Sequence, residues 1–407
     1  MCDGKLDERT MNKKISLGAA ISLMALTAAV AVTITAFCVM GSLNVSISNF
    51  SQRVSMFQKL ANVDSLVRSH YIGTVNETTL DDNMIAGYVN GIGDKYGCYL
   101  DAADYKSIKL NNGGQSIGIG VNVVKNTDGN IKVASVLSGS PAQKAGVKVN
   151  DIITSVGGQN VVTTGYTDAV NRLKGSVGTT AVFTVLRGGK STSFSIVRKT
   201  FSVATVTSRL IGNIGYVKIL EFDATTPTEF SSQVDNLIAK GAKGLIFDVR
   251  NNPGGLLESV EQMIDKLVPK GPIVRARYKD GTIKVLKYSD ASEVKLPMTV
   301  LTNQNTASAA ELFTAALKDY GKAKSIGTKT YGKGTMQKIY DLYDGTALDL
   351  SIAYFYPPKS DNFEGKGVLP DISVPMSSKD EQNLATLSID DDDQVMSAIS
   401  YLEMKIR

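Results

Sequence analysis

The run Gly244-Leu-Ile-Phe-Asp-Val249 limits the fold more than any other stretch of this chain. A strand with one wet face alternates apolar and polar residues. This one is nearly continuously apolar, so it has to be buried on both faces, which is the habit of a parallel sheet sandwiched between helices. The neighbouring segments agree. Ile214-Gly-Tyr-Val-Lys-Ile219 reads as a strand, and Pro227 to Lys240 reads as a helix that stops at Gly241. Leu256, Val260, Met263, Ile264 and Leu267 mark one face of a further helix. Met298-Thr-Val-Leu301 is another strand and Ala307 to Asp319 another helix. Residues 201–375 are therefore expected to form an α/β core.

Upstream, at 113–200, the pattern is different. Ser116-Ile-Gly-Ile-Gly-Val-Asn-Val-Val124 alternates and ends at the turn Asp128-Gly129. Lys132–Val136, Asp151–Gly158, Val182–Leu186 and Phe194–Val197 read as strands, the last two as a hairpin around Arg187-Gly-Gly189. Ser140-Pro-Ala-Gln-Lys-Ala-Gly146 is a short helix closed by a glycine, and Thr167 to Leu173 is helical. This order of elements resembles a PDZ domain. The resemblance implies that Ser116, Ile117, Gly118, Ile119, Gly120 and Val121 hold a peptide's terminal carboxylate by backbone N–H groups while the peptide adds as a strand. A dinucleotide loop is excluded, because Gly118-Ile-Gly120 lacks a third glycine and is followed by strand-like residues.

Ile15 to Met40 is an uncharged apolar run. It exceeds the roughly 20 residues that span a bilayer and is long for a cleaved signal core. Lys5, Arg9, Lys13 and Lys14 precede it, and the next basic residue is Arg53. The expectation is one transmembrane helix at 15–40, with residues 1–14 cytoplasmic and everything else outside. The competing reading is a signal cleaved near Gly41. Residues 41–112 are expected to be a helical stalk and leader, with Val54, Phe57, Leu60 and Val63 at helical spacing and a second helix near Met84, Ile85 and Val89. Residues 376–407 read as a helical tail. There the acidic run Asp390–Asp393 caps a helix bearing Val395, Ile399 and Leu402.

Composition removes several functions. The net charge of +5 over 407 residues comes without a basic stripe, so nucleic acid is not an expected partner. Cys2, Cys38 and Cys98 are odd in number and scattered, which gives neither a disulfide framework nor a zinc spacing. The single histidine, His70, lies far from every other motif. No metal and no cofactor are expected.

Serine chemistry in such a chain needs a proton acceptor other than histidine. Ser308, in Thr306-Ala-Ser-Ala-Ala-Glu311, stands where a strand turns into a helix, beside free N–H groups suited to an oxyanion. Taken alone, Ser308-Ala-Ala-Glu311 is more simply a capping box. Lys333, in Tyr331-Gly-Lys-Gly-Thr-Met-Gln337, alters that balance. An ordinary lysine is a poor base at neutral pH, but burial lowers its pKa, and Gln337 could hold the amine. Gly327 to Lys333 also matches most of a nucleotide-binding loop. It lacks the following Ser or Thr, and the next residues read as a strand rather than a helix, so that reading is rejected.

Together these segments resemble the carboxyl-terminal processing peptidases, or tail-specific proteases. The resemblance implies a crotonase- or ClpP-like α/β core with an inserted β-rich PDZ domain, an N-terminal helical leader and one transmembrane helix. It makes Ser308 the nucleophile, Lys333 the general base and Gln337 its orienting partner. Asp248-Val-Arg-Asn-Asn-Pro-Gly-Gly255 resembles the family's glycine loop, which implies an oxyanion hole built from backbone at Gly254, Gly255 and Ala309. Gly365-Lys-Gly-Val-Leu-Pro-Asp-Ile372 resembles a further signature with no evident role. The implied partners are proteins or peptides with free C-termini. A homodimer through the N- and C-terminal helices is a further expectation. The rival readings are a membrane-tethered PDZ scaffold with a dead hydrolase core, and a crotonase-like acyl-transfer enzyme. The intact Ser308, Lys333 and Gln337 set argues against both.

Overall fold

The structure, a computed structural model, describes residues 17–290, 292–384 and 387–406, with the backbone alone at some positions within 17–49. The chain divides after Asp81 into two units. The first is dominated by one helix, Leu17–His70, of 54 residues. Its end is tied by Arg68, which reaches Asp64 at 2.9 Å and Glu77 at 2.7 Å. These pairs are exposed and contribute little to stability. Val54, Phe57, Leu60 and Val63 share the helical spacing read from the sequence, but all four are exposed. Among the described residues no helix is long and apolar enough to cross a membrane. The expected span therefore finds no support here, and Ile15 and part of the remaining run to Met40 lie outside the described residues.

The second unit holds the α/β core. Its main sheet runs Val206–Ile211, Ile214–Ile219, Gly244–Asp248, Met298–Thr302, Ala323–Gly327, Ile372–Ser373 in spatial order. The first pair is antiparallel and the others are parallel. The Gly244–Asp248 strand is buried at every position. Its alternate residues explain why. Leu245 and Phe247 join one core with the helices Thr226–Ala239, Leu257–Leu267 and Ala309–Asp319. Ile246 faces the other way, against Val395, Ala398 and Leu402 of the C-terminal helix Asp393–Ile406. Phe230, Phe247 and Phe313 meet with ring centroids 5.4 to 6.3 Å apart. Each such buried ring contributes about 1.5–3 kcal/mol.

A second sheet lies alongside and carries the other half of the site. It contains Gly271–Tyr278, Ile283–Ser289, Thr335–Asp341 and Ala347–Tyr356, with Cys98–Leu100 added at one edge. Cys98 pairs with Asp349 and Leu100 with Ala347. Part of the segment read as leader thus belongs to the core, since a three-residue strand is too short to show a period.

The β-rich region is a five-strand path of Val121–Lys125, Ile131–Val136, Ile152–Val156, Thr180–Arg187 and Lys190–Val197. Its core is built on Ile131, Val133, Ile153, Phe183 and Val185. Gln115–Gly118 pairs antiparallel with Lys199–Ser202, so the chain enters and leaves this domain side by side.

Candidate active site

Ser308 caps the helix Ala309–Asp319 with φ 55° and ψ −117°. A non-glycine residue in that region costs on the order of 1–3 kcal/mol, so the surroundings must hold it there. They do so through the neighbouring carboxylate. Ser308 N–H donates to Glu311 Oε2 at 2.9 Å. Glu311 N–H meets the Ser308 carbonyl oxygen at 2.9 Å, and the Ser308 and Glu311 side chains form a capping box across this turn. The sequence suggested a choice between cap and nucleophile. The structure keeps both, for Ser308 shares the capping box with Glu311 and also lines a cleft of about 300 Å³.

Glu311 is fully buried and also reaches the second segment. Oε1 accepts from Thr330 Oγ at 2.5 Å and Gly332 N–H at 2.7 Å, and Oε2 accepts from Lys333 N–H at 2.8 Å. Burial pushes its pKa up while these hydrogen bonds oppose the shift. Tyr331 N–H donates to the Thr306 carbonyl at 3.0 Å. Nucleophile and base segments are thereby fastened backbone to carboxylate. The Gly365–Ile372 signature acquires a role from the same region. Gly365 N–H donates to the Gly332 carbonyl at 3.0 Å, and Val368 N–H to Thr330 Oγ at 2.6 Å. Gly332, at φ 94°, has Gly367 N only 2.9 Å from where a β-carbon would sit, so no side chain fits.

Lys333 lines the same cleft as Ser308. Its Nζ donates to Gln337 Oε1 at 2.5 Å. Burial lowers its pKa, against the pull of Asp349, Glu364 and Asp94. Gln337 Nε2 donates to the Tyr96 carbonyl at 2.7 Å and to Asp349 Oδ2 at 3.0 Å. The Tyr96 ring lies under the amine, its centroid 4.7 Å from Nζ. Asp349 Oδ1 is buried with no hydrogen-bond partner among the described residues. Sequence reasoning missed Tyr96, Asp349 and the joining role of Glu311.

The glycine loop corrects one expectation. Gly254 N–H donates to Asn252 Oδ1 at 2.8 Å, so it is not a free oxyanion donor. A β-carbon on Gly254 would sit 2.8 Å from Ser308 Cβ, so this glycine makes room for the nucleophile instead. The N–H groups of Gly255 and Ala309 have no acceptor among the described residues, and both residues line the cleft. The loop is sewn to the serine segment. Ala307 N–H donates to the Asn252 carbonyl and Thr306 Oγ to the Val249 carbonyl, each at 2.9 Å. Beneath it, Arg250 meets Asp248 at 2.7 Å and Asp392 at 2.8 Å, all three nearly water-free. The acidic run before the last helix is thus part of an ion triad as well as a cap.

The residues expected to hold a peptide carboxylate fall into two groups. Ser116, Ile117 and Gly118 are committed to the strand pair with Lys199–Ser202. Ile119 is buried, its carbonyl accepting Ala142 N–H at 2.7 Å, and the Gly120 carbonyl accepts Leu137 N–H at 3.0 Å. Val121 opens the strand at the sheet edge. Tyr166, at the start of the helix Tyr166–Leu173, donates its hydroxyl to the Val123 carbonyl at 3.3 Å.

A serine on a strained strand-to-helix turn, a desolvated lysine in the same cleft and two free backbone donors define a hydrolase of the serine type, carrying a separate β-rich domain. Comparison with known proteins narrows this. Residues 213–374 match the model of peptidase family S41 and residues 117–197 that of the PDZ domain. The chain is 34% identical over 355 residues to the carboxy-terminal processing protease CtpA of Bacillus subtilis (strain 168), covering 86% of this chain and 76% of that one. It is 32% identical to a probable CtpA-like serine protease of Staphylococcus aureus (strain MRSA252), covering 84% and 70%. The fold is also that of the photosystem II D1 C-terminal processing protease, with a TM-score of 0.50 at 24% identity over 77% of this chain and 85% of that one. The chain belongs to peptidase family S41 and is a serine-type endopeptidase of the C-terminal processing group.

Proposed function

We propose that this enzyme cleaves proteins or peptides near their C-termini by a Ser–Lys mechanism. Ser308 Oγ attacks the scissile carbonyl as Lys333 Nζ takes its proton. The N–H groups of Gly255 and Ala309 receive the developing oxyanion, a stabilisation of about 3–4 kcal/mol per donor. The ammonium then returns a proton to the leaving amine, and water releases the acyl group by the reverse path. The observation that carries this reading is the shared cleft, which a desolvated amine and Ser308 line beside two unengaged backbone donors. Degradation of an unstructured peptide by the wild-type protein and by Ser308→Ala tests it. Undiminished turnover by Ser308→Ala refutes it.

The PDZ domain, in this proposal, reads substrate C-termini and gates the cleft. Its edge strand Val121–Lys125 and the turn at Ile119-Gly120 support that role. The apolar run Ile15–Met40 and the basic residues before it support a single-pass anchor with the catalytic domain outside the cytoplasm. Protease added to intact spheroplasts should then reach residues beyond 42, and full protection refutes the topology. Self-association through the leader and tail helices completes the proposal, and sedimentation of the purified protein measures it.

A further inference from the structure

The lysine is held by more than its glutamine. Gln337 Nε2 faces the Tyr96 carbonyl and Asp349 Oδ2, at 2.7 and 3.0 Å. A carbonyl and a carboxylate only accept, so the amide must turn its NH2 toward them and its oxygen toward Lys333. That oxygen takes one N–H of the amine, at 2.5 Å. The Tyr96 ring presents its negative face to the same nitrogen from 4.7 Å. A neutral amine has two N–H bonds and one lone pair. Once the glutamine oxygen and the ring face have taken the hydrogens, the lone pair is left for the remaining side, which is the cleft lined by Ser308.

We propose that Tyr96 is a positioning residue for Lys333, delivered by the segment before the PDZ domain to aim the amine lone pair at Ser308. The inference rests on Lys333 being the base. Tyr96 is itself fixed at its hydroxyl and at its backbone N–H. Its hydroxyl donates to Glu364 Oε1 at 3.2 Å, and Glu364 Oε2 accepts the N–H of Gly334 at 2.6 Å. Its own N–H donates to Asp94 Oδ1 at 3.0 Å, and Asp94 is bound to the Ser351 N–H and hydroxyl at 2.8 Å each. A residue that merely walled the cleft would not need its ring, carbonyl and hydroxyl all tied to the base and its supports.

The groups facing Lys333 are Asp349 and, from the loop beyond that strand, Glu364, together with Asp94 and Cys98 from the leader. Lys95 lies 4.9 Å from the centroid of the same tyrosine ring. The acidic groups favour the ammonium, and burial opposes them and wins. Removing the ring takes away a face that favours the ammonium but also admits water, and because burial is the largest influence on this amine it should move back toward its ordinary value.

The test uses the full-length enzyme in detergent, with peptide cleavage and acylation of Ser308 by a fluorophosphonate probe measured across pH. Tyr96→Phe keeps the ring and should stay within about threefold of wild type. Tyr96→Leu and Tyr96→Met should lose about a hundredfold in kcat, as small misplacements of a reacting group do. Their KM should be unchanged and the basic limb of acylation should move to higher pH. A fold defect in one ringless variant leaves the other to decide. If the ringless variants keep the wild-type limb, or Tyr96→Phe is as damaged as Tyr96→Leu, the proposal is overturned. Lys333→Ala separates the two readings. If it still acylates with a normal limb, the base assignment has failed; if it is dead while ringless variants behave as wild type, only the role of Tyr96 has.

Discussion

Replacing Glu311 by glutamine should damage this enzyme more than its small change of shape suggests. The carboxylate accepts four hydrogen bonds, two on each oxygen, from Ser308, Lys333 and Gly332 N–H and from the Thr330 hydroxyl. An amide has one accepting oxygen and one donating nitrogen. Placed with its oxygen on Ser308 and Lys333, it turns NH2 against Gly332 N–H, donor against donor. The Thr330 hydroxyl cannot fully compensate, since it already accepts Val368 N–H at 2.6 Å. One stranded buried donor costs about 1–3 kcal/mol, and the surviving bonds lose their charge assistance, about 1 kcal/mol more. Glu311→Gln should therefore lose about 2–4 kcal/mol. Glu311→Ala, which strands all four donors, should lose more than about 4 kcal/mol, much of the stability of an ordinary domain.

The same substitution reads the charge of Glu311. Burial favours the neutral acid and four donors favour the carboxylate. In a neutral acid one oxygen would already donate, and glutamine would then be a near match. Denaturant unfolding of Glu311→Gln and Glu311→Ala, followed by tryptic protection of the core and by peptide turnover, separates these cases. A Gln variant within about 0.5 kcal/mol of wild type, with wild-type kcat, refutes the argument that an ionised Glu311 joins nucleophile to base.

Three further outcomes follow from the geometry. Because Lys333 is shifted down by burial, activity should rise with pH through its lowered value. Stability should also rise with pH from that value up to about 10.4, where the unfolded lysine titrates; Lys333→Met should be inactive and lose that rise in a pH series of melts. Burial works against the Asp248 charge, but Arg250 holds its pKa below the ordinary range, so its contribution is present at neutral pH and lost as pH falls below about 3.9. Arg250→Met should cost about 3–5 kcal/mol at neutral pH by stranding Asp248 and Asp392, and the deficit should shrink in acid. Peptides with a free apolar C-terminus should bind the PDZ domain with about −8 kcal/mol or weaker, and amidation should slow their cleavage by the intact enzyme but not by one lacking residues 113–200; equal treatment of both peptides by both enzymes ends the tail-reading proposal.

The parts legible in the sequence were those written locally. Gly244–Val249 betrayed a sheet covered on both faces because Leu245, Ile246 and Phe247 all need cover. Ser308, Lys333 and Gln337 were legible because each sits in a short motif whose glycines or cap residues have a physical reason. Tyr96 was not, because its partners Gln337 and Glu364 lie 241 and 268 residues away. Nor could the sequence say which glycine of the loop keeps a free N–H, since that depends on the rotamer of Asn252. The tail aspartates looked like a cap because a cap is a local explanation, whereas the pairing of Asp392 with Arg250 spans 142 residues.

The order of segments along the chain bears on how a tail-binding domain could act on the cleft. Tyr96 comes first, under the base. The helix Ala102–Asn112 follows and places Ile108 and Asn112 in the cleft wall. Its end is tied to the core where the Asn112 carbonyl accepts Ala224 N–H at 2.8 Å, and Gly114, at φ 73°, has Thr225 Cγ2 2.7 Å from its β-carbon position. Only then does the PDZ domain begin, with its first and last strands paired. The near end of that strand pair is one glycine turn from the cleft. Asn112 and Ile108 are the first cleft residues along that path, and Tyr96 lies one short helix further on. In the tail-reading proposal, a peptide at Val121–Lys125 would be linked to the base along the backbone as far as Tyr96 and by the ring contact beyond it. If the domain gates the cleft as proposed, a tail peptide added in trans should change kcat for a short substrate that never reaches the PDZ groove, and an unchanged kcat refutes this route.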